Sequence, residues 1–399
     1  MVAIISQYLR NIENFGMNNS RFVYLAKMLE EEHSVEIITS DFMHGPKLHS
    51  QVIGVLGNVK ITALHEPGYL KNICLKRFLS HKYLARNIRK YLEARIKPDV
   101  CYCAIPSLDV ADMVAQYCKK NNIRFIVDIQ DLWPEAFKMV FHIPVVSNLI
   151  FAPMQKKADW IYAQADSICA VSDTYVNRAL QVNKKVQEGH SVFLGTNLST
   201  FDQNVKNNHV EKPRNELWLA YCGTLGASYD LICVFDALKI LKEKDVRVPK
   251  FIIMGNGPRK EEFETYAKEK KLDVVFTGKL PYEQMCGMLC ACDITVNPIT
   301  HGAAQSIINK HADYVASGLP VLNTQECIEY RELVDKYNMG FNCENGNAND
   351  LADKLQKLIE NEELREIMGQ NSRKCAEEKF DRRNSYQIII NEICGEGID

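Results

Sequence analysis

The sequence predicts an α/β fold of two Rossmann-like domains, each a doubly wound parallel sheet, set one after the other along the chain. Three observations carry this expectation. At 399 residues the chain is long for a single hydrophobic core. Short β-branched runs alternate with longer stretches of helical periodicity, the pattern of repeated βαβ units. The alternation lapses once, in the polar stretch from Thr196 to Asn215 that contains Pro213, and then resumes.

In order, the first half offers strands at Val2–Ser6, Val35–Thr39, Val59–Ala63, Val100–Cys103, Phe125–Asp128 and Ser167–Val171, with a short last one at Ser191–Leu194. Helices are expected at Arg21–Glu32, through a basic segment between Lys71 and Lys97, at Asp109–Asn121 and at Asp173–Val182. Met1–Ser6 is too short an apolar run for a secretory leader and lacks a basic lead-in, so it reads as the first buried strand. The second half offers strands at Leu217–Cys222, Phe251–Met254, Val274–Thr277, Ile294–Val296 and Val321–Leu322. Between them run helices at Leu231–Lys244, Arg259–Lys271, Glu283–Ala291 and Asn309–Ser317, and the tail from Asn349 is helical, broken near Asn361 and Asp381. The division this implies is a first domain over 1–200, a connection over 201–216 and a second domain over 217–382, with the last helix (about 383–399) packing back on the first. Two such sheets in succession predict a cleft between domains, with ligands beyond the carboxyl ends of the strands.

Composition excludes several classes. The formal net charge of −2 argues against a general nucleic-acid binder. With no run of about 18 apolar residues, no transmembrane helix is expected. The fourteen cysteines include no C-x-x-C pair; free thiols in a reducing cytoplasm are expected rather than disulfides or zinc. One local imbalance stands out. Lys71, Lys76, Arg77, Lys82, Arg86, Arg89, Lys90, Arg95 and Lys97 face a single acid, Glu93, and Leu75, Phe78, Leu79, Tyr83, Leu84, Ile88, Tyr91 and Leu92 are threaded among them. A basic helix with that apolar content suits an anionic membrane surface. An ordinary amphipathic helix with a basic outer face fits the same residues.

Three loops carry the chemistry. Tyr221-Cys-Gly-Thr-Leu-Gly-Ala-Ser-Tyr-Asp-Leu231 follows a strand and opens a helix, so the backbone at Gly223, Thr224, Leu225 and Gly226 is able to approach a phosphate; a tight turn would need the same glycines. Met254-Gly-Asn-Gly-Pro258 repeats the arrangement with Gly255 and Gly257, and a plain strand-to-helix turn is the simpler reading there. The third runs from His301 to Pro320. Ser306 is the expected N-cap, and Gly318 with Pro320 ends the helix. Lys310 then falls in the first turns beside free backbone donors, where a diphosphate would be stabilised. Asn309 and Asp313 share a face, and Asp313 has the chemistry to accept ribose hydroxyls. A local Lys310–Asp313 ion pair on a surface helix explains the spacing equally well.

Together these segments resemble the family-four retaining glycosyltransferases of GT-B fold, in particular those of bacterial capsule and O-antigen assembly. The family's Glu-x7-Glu pattern leads into a helix ending in Gly-x-Pro-Val, matched by Gly318-Leu-Pro-Val321, with the second acid at Asp313 and the first at Gln305. The Gly223 loop and Gly255-Asn-Gly-Pro258 match two further family loops, and Gly278-Lys279-Leu280 resembles the turn near the nucleobase. Asp128-Ile-Gln-Asp-Leu-Trp-Pro-Glu135 resembles the first-domain loop facing the donor sugar, and Gly16 sits at the family's first glycine loop. The resemblance runs from Gly16 to about Glu329. It implies an enzyme that moves a sugar, most simply from a UDP-linked donor, to a hydroxyl of a lipid-linked or growing saccharide, with a donor domain second and an acceptor domain first.

The site this implies places Lys310 and the N–H groups of Gly223–Gly226 and Ser306–Ile308, Ile307 included, on the diphosphate, helped by Lys279. Asp313 holds the ribose, and Asn309, on the same helix face, is among the donor-binding residues. Gln305 and Gln130 contact the transferred sugar, and Asp131 lies on the acceptor side. No cofactor or metal is implied, because a front-face reaction needs charge stabilisation and positioning more than a protein base. The expected location is the cytoplasm, with peripheral contact to the inner membrane through Lys71–Lys97. Four positions depart from the commonest pattern: Thr224 and Tyr229 stand for Arg and Lys, Gln130 for His and Gln305 for Glu. They leave room for two rivals, a nucleotide-sugar 2-epimerase of the same fold and a degenerate subunit that binds and scaffolds. His44 and Lys47, after the second strand, suit an anionic acceptor phosphate as well as a solvated turn.

Overall fold

The computed structural model describes the whole chain except residues 10–19, 51–53, 73, 141–143, 304–305 and 396–399, and the side chains of 138–140 and 144–148. The chain forms two α/β units, Met1–Val192 with Tyr386–Asp399, and Phe193–Ser385. No helix among the described residues is long and apolar enough to cross a membrane.

The first unit is built on an eight-stranded sheet. From one edge its strands run His190–Ser191, Ser167–Ala170, Arg124–Ile129, Val100–Ile105, Val2–Ile5, Val35–Ser40, Val59–Leu64 and Val55–Leu56. Only the last, a two-residue hairpin arm, is antiparallel. The central strands are buried on both faces, as their continuous β-branched runs require. From Val2–Ile5 the chain winds outward through Val35–Ser40 to Val59–Leu64, then returns to Val100–Ile105 on the other side and winds away. That reversal makes a topological switch point at the carboxyl ends of Val2–Ile5 and Val100–Ile105.

A buried ion pair holds this unit together. Arg21, on the helix Arg21–Leu29, lies 3.1 Å from Asp128 with both side chains essentially inaccessible. The guanidinium also donates to the Val192 carbonyl at 2.7 Å and lies 5.1 Å from the Tyr386 ring centroid. It thereby ties the first helix, the strand Arg124–Ile129, the end of the unit's first segment and the returning C-terminal residues to one point. The helix Gln387–Cys394 belongs to this unit, where Glu392 accepts from Arg124 at 3.1 Å and faces His190 at 3.0 Å.

The second unit has six parallel strands in the order Val274–Gly278, Lys250–Met254, Trp218–Cys222, Ile294–Asn297, Val321–Asn323, Gly340–Asn342. Alternation sorts its residues between two cores. Trp218, Ala220, Cys222, Ile252 and Met254 face one helical layer, and Leu219, Tyr221, Phe251 and Ile253 face the other. The switch point falls between Trp218–Cys222 and Ile294–Asn297.

Several expectations need correction. The stretch 201–216 is not simply a connection: Leu198–Asn207 is a helix of the second unit, capped by Asn197 on the Thr200 N–H at 3.0 Å. It seats the fully buried Phe201 and packs on the helix Tyr282–Cys290. Two apolar anchors amid Asn and Lys gave too weak a periodicity to show. The helix Pro144–Gln164 was also missed, since Pro153 inside it reads as a breaker. The last strand of the first sheet is His190–Ser191 rather than Ser191–Leu194.

The Arg21–Asp128 pair generates a stability prediction. Arg21→Met strands a buried carboxylate and should lower the unfolding free energy measured in urea by about 3–5 kcal/mol, with much of it recovered when Asp128→Leu is added. Equal losses in the single and double variants would show that the charge pairing is not what matters.

Candidate functional site

The site assembles at the carboxyl ends of the second sheet from loops that brace one another. The Gly223 N–H donates to the Met254 carbonyl at 3.0 Å, Leu225 N–H to Asn256 at 3.0 Å and Arg259 N–H to Leu225 at 3.0 Å. The glycines are what let these backbones approach. A Cβ on Gly255 would sit 1.8 Å from the Gly223 carbonyl oxygen, and one on Gly257 would sit 2.2 Å from the Leu225 carbonyl oxygen. Gly223, at φ +149°, turns its bare Cα toward the Lys310 Nζ, which a Cβ would approach to 2.9 Å. Beyond the turn, Tyr229 bridges to Ile299, and Asp230 caps the helix Leu231–Glu243 by accepting from Cys233 N–H. Those two anchors fix where the Tyr229 ring stands.

The third element differs from expectation at its start. The helix begins at Lys310, with Asn309 as an N-cap that makes no side-chain cap bond, and runs to Ala316. Ser306 is therefore not the cap; residues 306–308 are irregular, and the Ile307 side chain is buried in the core. Tyr314 locks the helix to the sheet: its hydroxyl accepts from Cys222 N–H at 2.9 Å and lies 3.2 Å from the Val296 carbonyl. A buried polar network holds the approach loop. His311 stacks on Tyr330 with ring centroids 3.4 Å apart, and the Asn297 amide lies 2.9 Å from His311 Nε2. Asn297 also donates to Asn323 at 2.9 Å, and Gln325 donates to the Ser306 carbonyl at 2.8 Å.

Lys310 occupies the centre. Its Nζ lies 3.9 Å from the Tyr229 ring centroid and 4.3 Å from that of Tyr221. Its Nζ is buried and has no hydrogen-bond partner among the described residues. Burial pulls its ammonium down to about 7, although the two ring faces favour the cation. The local Lys310–Asp313 ion pair does not form among the described contacts; Asp313 instead accepts from the Tyr282 hydroxyl at 2.8 Å, and Tyr282 lies 3.0 Å from Thr196 Oγ1. Burial pushes the Asp313 carboxyl up to about 6, against the Tyr282 hydrogen bond.

Lys310 and Asp313 share a pocket of about 320 Å³ with Gly223, Thr224, Gly255 and Lys279. Asn256 and Met285 also line it and were not foreseen. Gly278, at φ +75°, turns the chain so that Lys279 reaches this wall. Leu225 is buried beneath the loop, while Gly226 and Gly257 shape the turns rather than line the cavity. Gly16 and Gln305 lie outside the described residues. Tyr221, Tyr282 and Tyr314, which set the positions of Lys310 and Asp313, were also missed. An uncommitted buried amine, bare backbone and a second lysine make a cavity suited to an anionic group, with a carboxylate placed for hydroxyls.

Gln130 and Asp131 belong to the first unit, after the strand Arg124–Ile129. The Gln130 side-chain amide donates to Asp128 at 2.8 Å, so it supports the buried ion pair. Asp131 accepts from the Trp133 indole at 3.2 Å, and burial raises its pKa. Trp133 is itself buried. All fourteen cysteines are free.

Residues 202–375 match the family described as Glycosyl transferases group 1. An uncharacterised glycosyltransferase of Methanocaldococcus jannaschii is 24% identical over 242 residues, 58% of this chain and 60% of that protein. The sulfoquinovosyl transferase of Arabidopsis thaliana is 23% identical over 321 residues, 75% of this chain and 57% of that protein. The chain thus spans less than two-thirds of the length of the curated relatives it matches. Among solved structures, HepE of Anabaena in complex with UDP superposes with a TM-score of 0.68 at 13% identity, covering 99% of both chains, which shows the shared GT-B fold.

The Lys310 cage has a spectroscopic consequence. In protein labelled at lysine Cε, one lysine should titrate near 7 by NMR. Tyr229→Leu removes a ring that favours the charged amine, so that midpoint should fall by about 0.5–1.5 units. An unchanged midpoint would remove Tyr229 from the cage.

Proposed function

We propose that this chain, a glycosyltransferase of group 1 on the GT-B fold, moves a sugar with retention from a nucleotide-diphosphate donor, most simply a UDP-sugar, to a hydroxyl of a lipid-linked or growing saccharide in capsular or O-antigen polysaccharide synthesis. The observation that carries the donor half is the uncommitted, buried Lys310 amine facing the pocket between the Gly223 and Gly255 loops. In this reading the diphosphate sits on Lys310, Lys279 and the N–H groups of the Gly223 loop, and Asp313 accepts ribose hydroxyls. Transfer follows a front-face course. As the bond from the anomeric carbon to the diphosphate oxygen breaks, the acceptor hydroxyl attacks on the same face and its proton passes to the departing phosphate oxygen. The protein supplies charge and placement, and no metal or cofactor takes part. HepE, crystallised with UDP and with UDP-glucose, supports the choice of nucleotide.

Tyr229 strengthens the reading where the sequence left it weakest. In place of the family's second cation stands a ring that contacts Lys310 from 3.9 Å. We read Tyr229 as concentrating the site's charge in one lysine rather than as loss of function, which favours transferase over scaffold. We also propose a cytoplasmic location at the inner face of the membrane, a reading supported by the thiols and by the exposed face of the helix Leu75–Glu93, where Leu75, Leu79 and Tyr83 alternate with Lys76, Lys82 and Arg86.

Two experiments test the donor assignment. In a panel of UDP- and GDP-sugars with a lipid-linked acceptor, Lys310→Ala should lower turnover by about 10²–10³-fold; near-normal turnover sinks the assignment, and epimer formation without transfer would favour the epimerase. The second is the pH profile of kcat/KM, which reports the free enzyme. Asp313 must be ionised to accept hydroxyls and Lys310 protonated to hold phosphate. Activity should therefore rise through about 6 and fall through about 7, a narrow bell. Asp313→Asn should flatten the acid limb and Lys310→Arg the alkaline one. Limbs that survive both changes would place the titration elsewhere.

A further inference from the structure

The carboxyl ends of the first sheet carry a second unfinished site. Around its switch point, Tyr8 follows the first strand, His44 and Lys47 lie on the hairpin after Val35–Ser40, Glu66 follows Val59–Leu64, and Arg77 and His81 come from the first turns of the helix Leu75–Glu93. Arg77 is only 7% exposed. It donates to the Asn72 carbonyl at 2.7 Å and to the Tyr8 hydroxyl at 3.0 Å, but its Nε is buried with no partner. It makes no ion pair among the described residues. Its guanidinium instead lies 4.6 Å from the Trp133 ring centroid, 5.6 Å from Tyr69 and 5.9 Å from Tyr8.

The neighbouring acid does not answer that charge. Glu66 Oε1 accepts from Gln7 and Ser80 and its Oε2 from Gln7 and Ser40, at 2.7–3.0 Å, and burial raises its pKa. A second cation adds to the imbalance, for Lys47 Nζ lies 4.8 Å from the Tyr69 centroid and donates to Asn72 at 2.7 Å. His81 is fully buried, and burial with Arg77 and His44 nearby pulls it down to about 3, so it stays neutral with its Nδ1 unpartnered. Asp131 lies within electrostatic range of Arg77 but is held by the Trp133 indole and makes no ion pair with it among the described residues. A buried guanidinium among rings with an unused N–H is the environment that an incoming phosphate completes.

Trp133 also lines a different kind of space. Together with Phe78, Phe151 and Met154 it borders an apolar pocket of about 320 Å³, which Lys82 and Lys157 also line. Asp109 holds Lys157 at 2.6 Å, while Lys82 is exposed with no ion pair among the described residues. Ile150, which also lines this pocket, is 62% exposed. One indole thus borders both a caged cation and an apolar cavity.

We propose that these features form one site for an amphiphile, its phosphate or diphosphate on Arg77 and Lys47 and its apolar chain in the pocket beside Trp133. The partnerless Arg77 Nε argues for an anionic head group, and the pocket beside Trp133, which free phosphate would leave empty, argues for an apolar chain. The site deepens the transferase reading by placing a lipid-linked phosphate on the acceptor side, and it rests on that reading only for the word acceptor.

Calorimetry on the full chain tests it without turnover. Saturating UDP fills the second unit's pocket, and farnesyl diphosphate, inorganic pyrophosphate and farnesol are titrated separately. Farnesyl diphosphate should bind at least about tenfold more tightly than either fragment, since both halves contribute. Arg77→Gln should weaken it about tenfold or more and Lys47→Gln, at a half-exposed position, about threefold. Met154→Trp, which fills the pocket, should bring farnesyl diphosphate to the level of pyrophosphate and leave pyrophosphate unmoved. Pyrophosphate binding as tightly as farnesyl diphosphate overturns the lipid half, farnesol doing so overturns the anion half, and no binding by any probe overturns the site. Should Arg77→Gln fail to fold, the Lys47 and Met154 variants decide alone. Farnesyl diphosphate binding without sugar transfer from any donor would support the site and remove the transferase reading; transfer to a lipid-free acceptor without such binding would do the reverse.

Discussion

The second unit depends on one uncompensated charge. The Lys310 amine is buried, makes no ion pair among the described residues, and lies against the faces of Tyr221 and Tyr229. Burying an ammonium this way is unfavourable, which is why its pKa descends to about 7. Much around it serves to keep that arrangement in place. Gly223 has no Cβ to displace the amine, Tyr314 pins its helix to two strands, and the bridge from Tyr229 to Ile299 fixes the second ring. Asp313, three residues on, is turned away from the lysine by Tyr282. Were the two to pair, the amine would be satisfied within the protein and would have little reason to bind an anion.

The polar network behind the approach loop follows from the same need. Residues 306–308 have no regular backbone pattern to hold them, so their position depends on Gln325 reaching the Ser306 carbonyl. Gln325 is set by Asn323, and Asn323 by Asn297 and Asn342. These are polar side chains at the ends of buried strands, and each is worth its desolvation only because its partners are present. Removing one would leave several others unsatisfied, so the network specifies one conformation of a loop that local propensity leaves undetermined.

Much of the fold was legible, because parallel strands buried on both faces and helices with clear stop signals announce themselves; Gly318-Leu-Pro320 did so for the helix that carries Lys310. The failures have physical causes. Leu198–Asn207 hid because a helix anchored chiefly by Leu198 and Phe201 has almost no periodicity to read. Pro144–Gln164 hid because Pro153 is unfavourable within a helix unless tertiary packing overrides it. At the site, Lys310 and Asp313 could be singled out by residue type and spacing. The tyrosines that position them could not, since an aromatic residue in a strand reads as core, and Tyr221 is core on its way to being part of a cage. Only Tyr229 left a trace, as a departure from a resembled pattern that left room for a degenerate subunit; its contact with Lys310 lay outside what the sequence could show.

Each unit places a buried cation among aromatic rings at the carboxyl ends of its sheet, Lys310 in the second and Arg77 in the first, and the difference between the two cations has consequences. In the second unit the cation is an amine, whose charge burial can remove; its hold on an anion therefore depends on pH near neutrality. In the first unit it is a guanidinium, which can stack on aromatic faces while presenting N–H groups at fixed angles. Arg77 is placed among three rings in that manner. An anion bound there would be met by N–H groups held at fixed angles, whereas one bound at Lys310 would be released as the amine loses its proton. On the proposed reading the two sites would thus differ in what releases their ligands, a difference that depends on which basic residue stands at each position rather than on the fold the two units share.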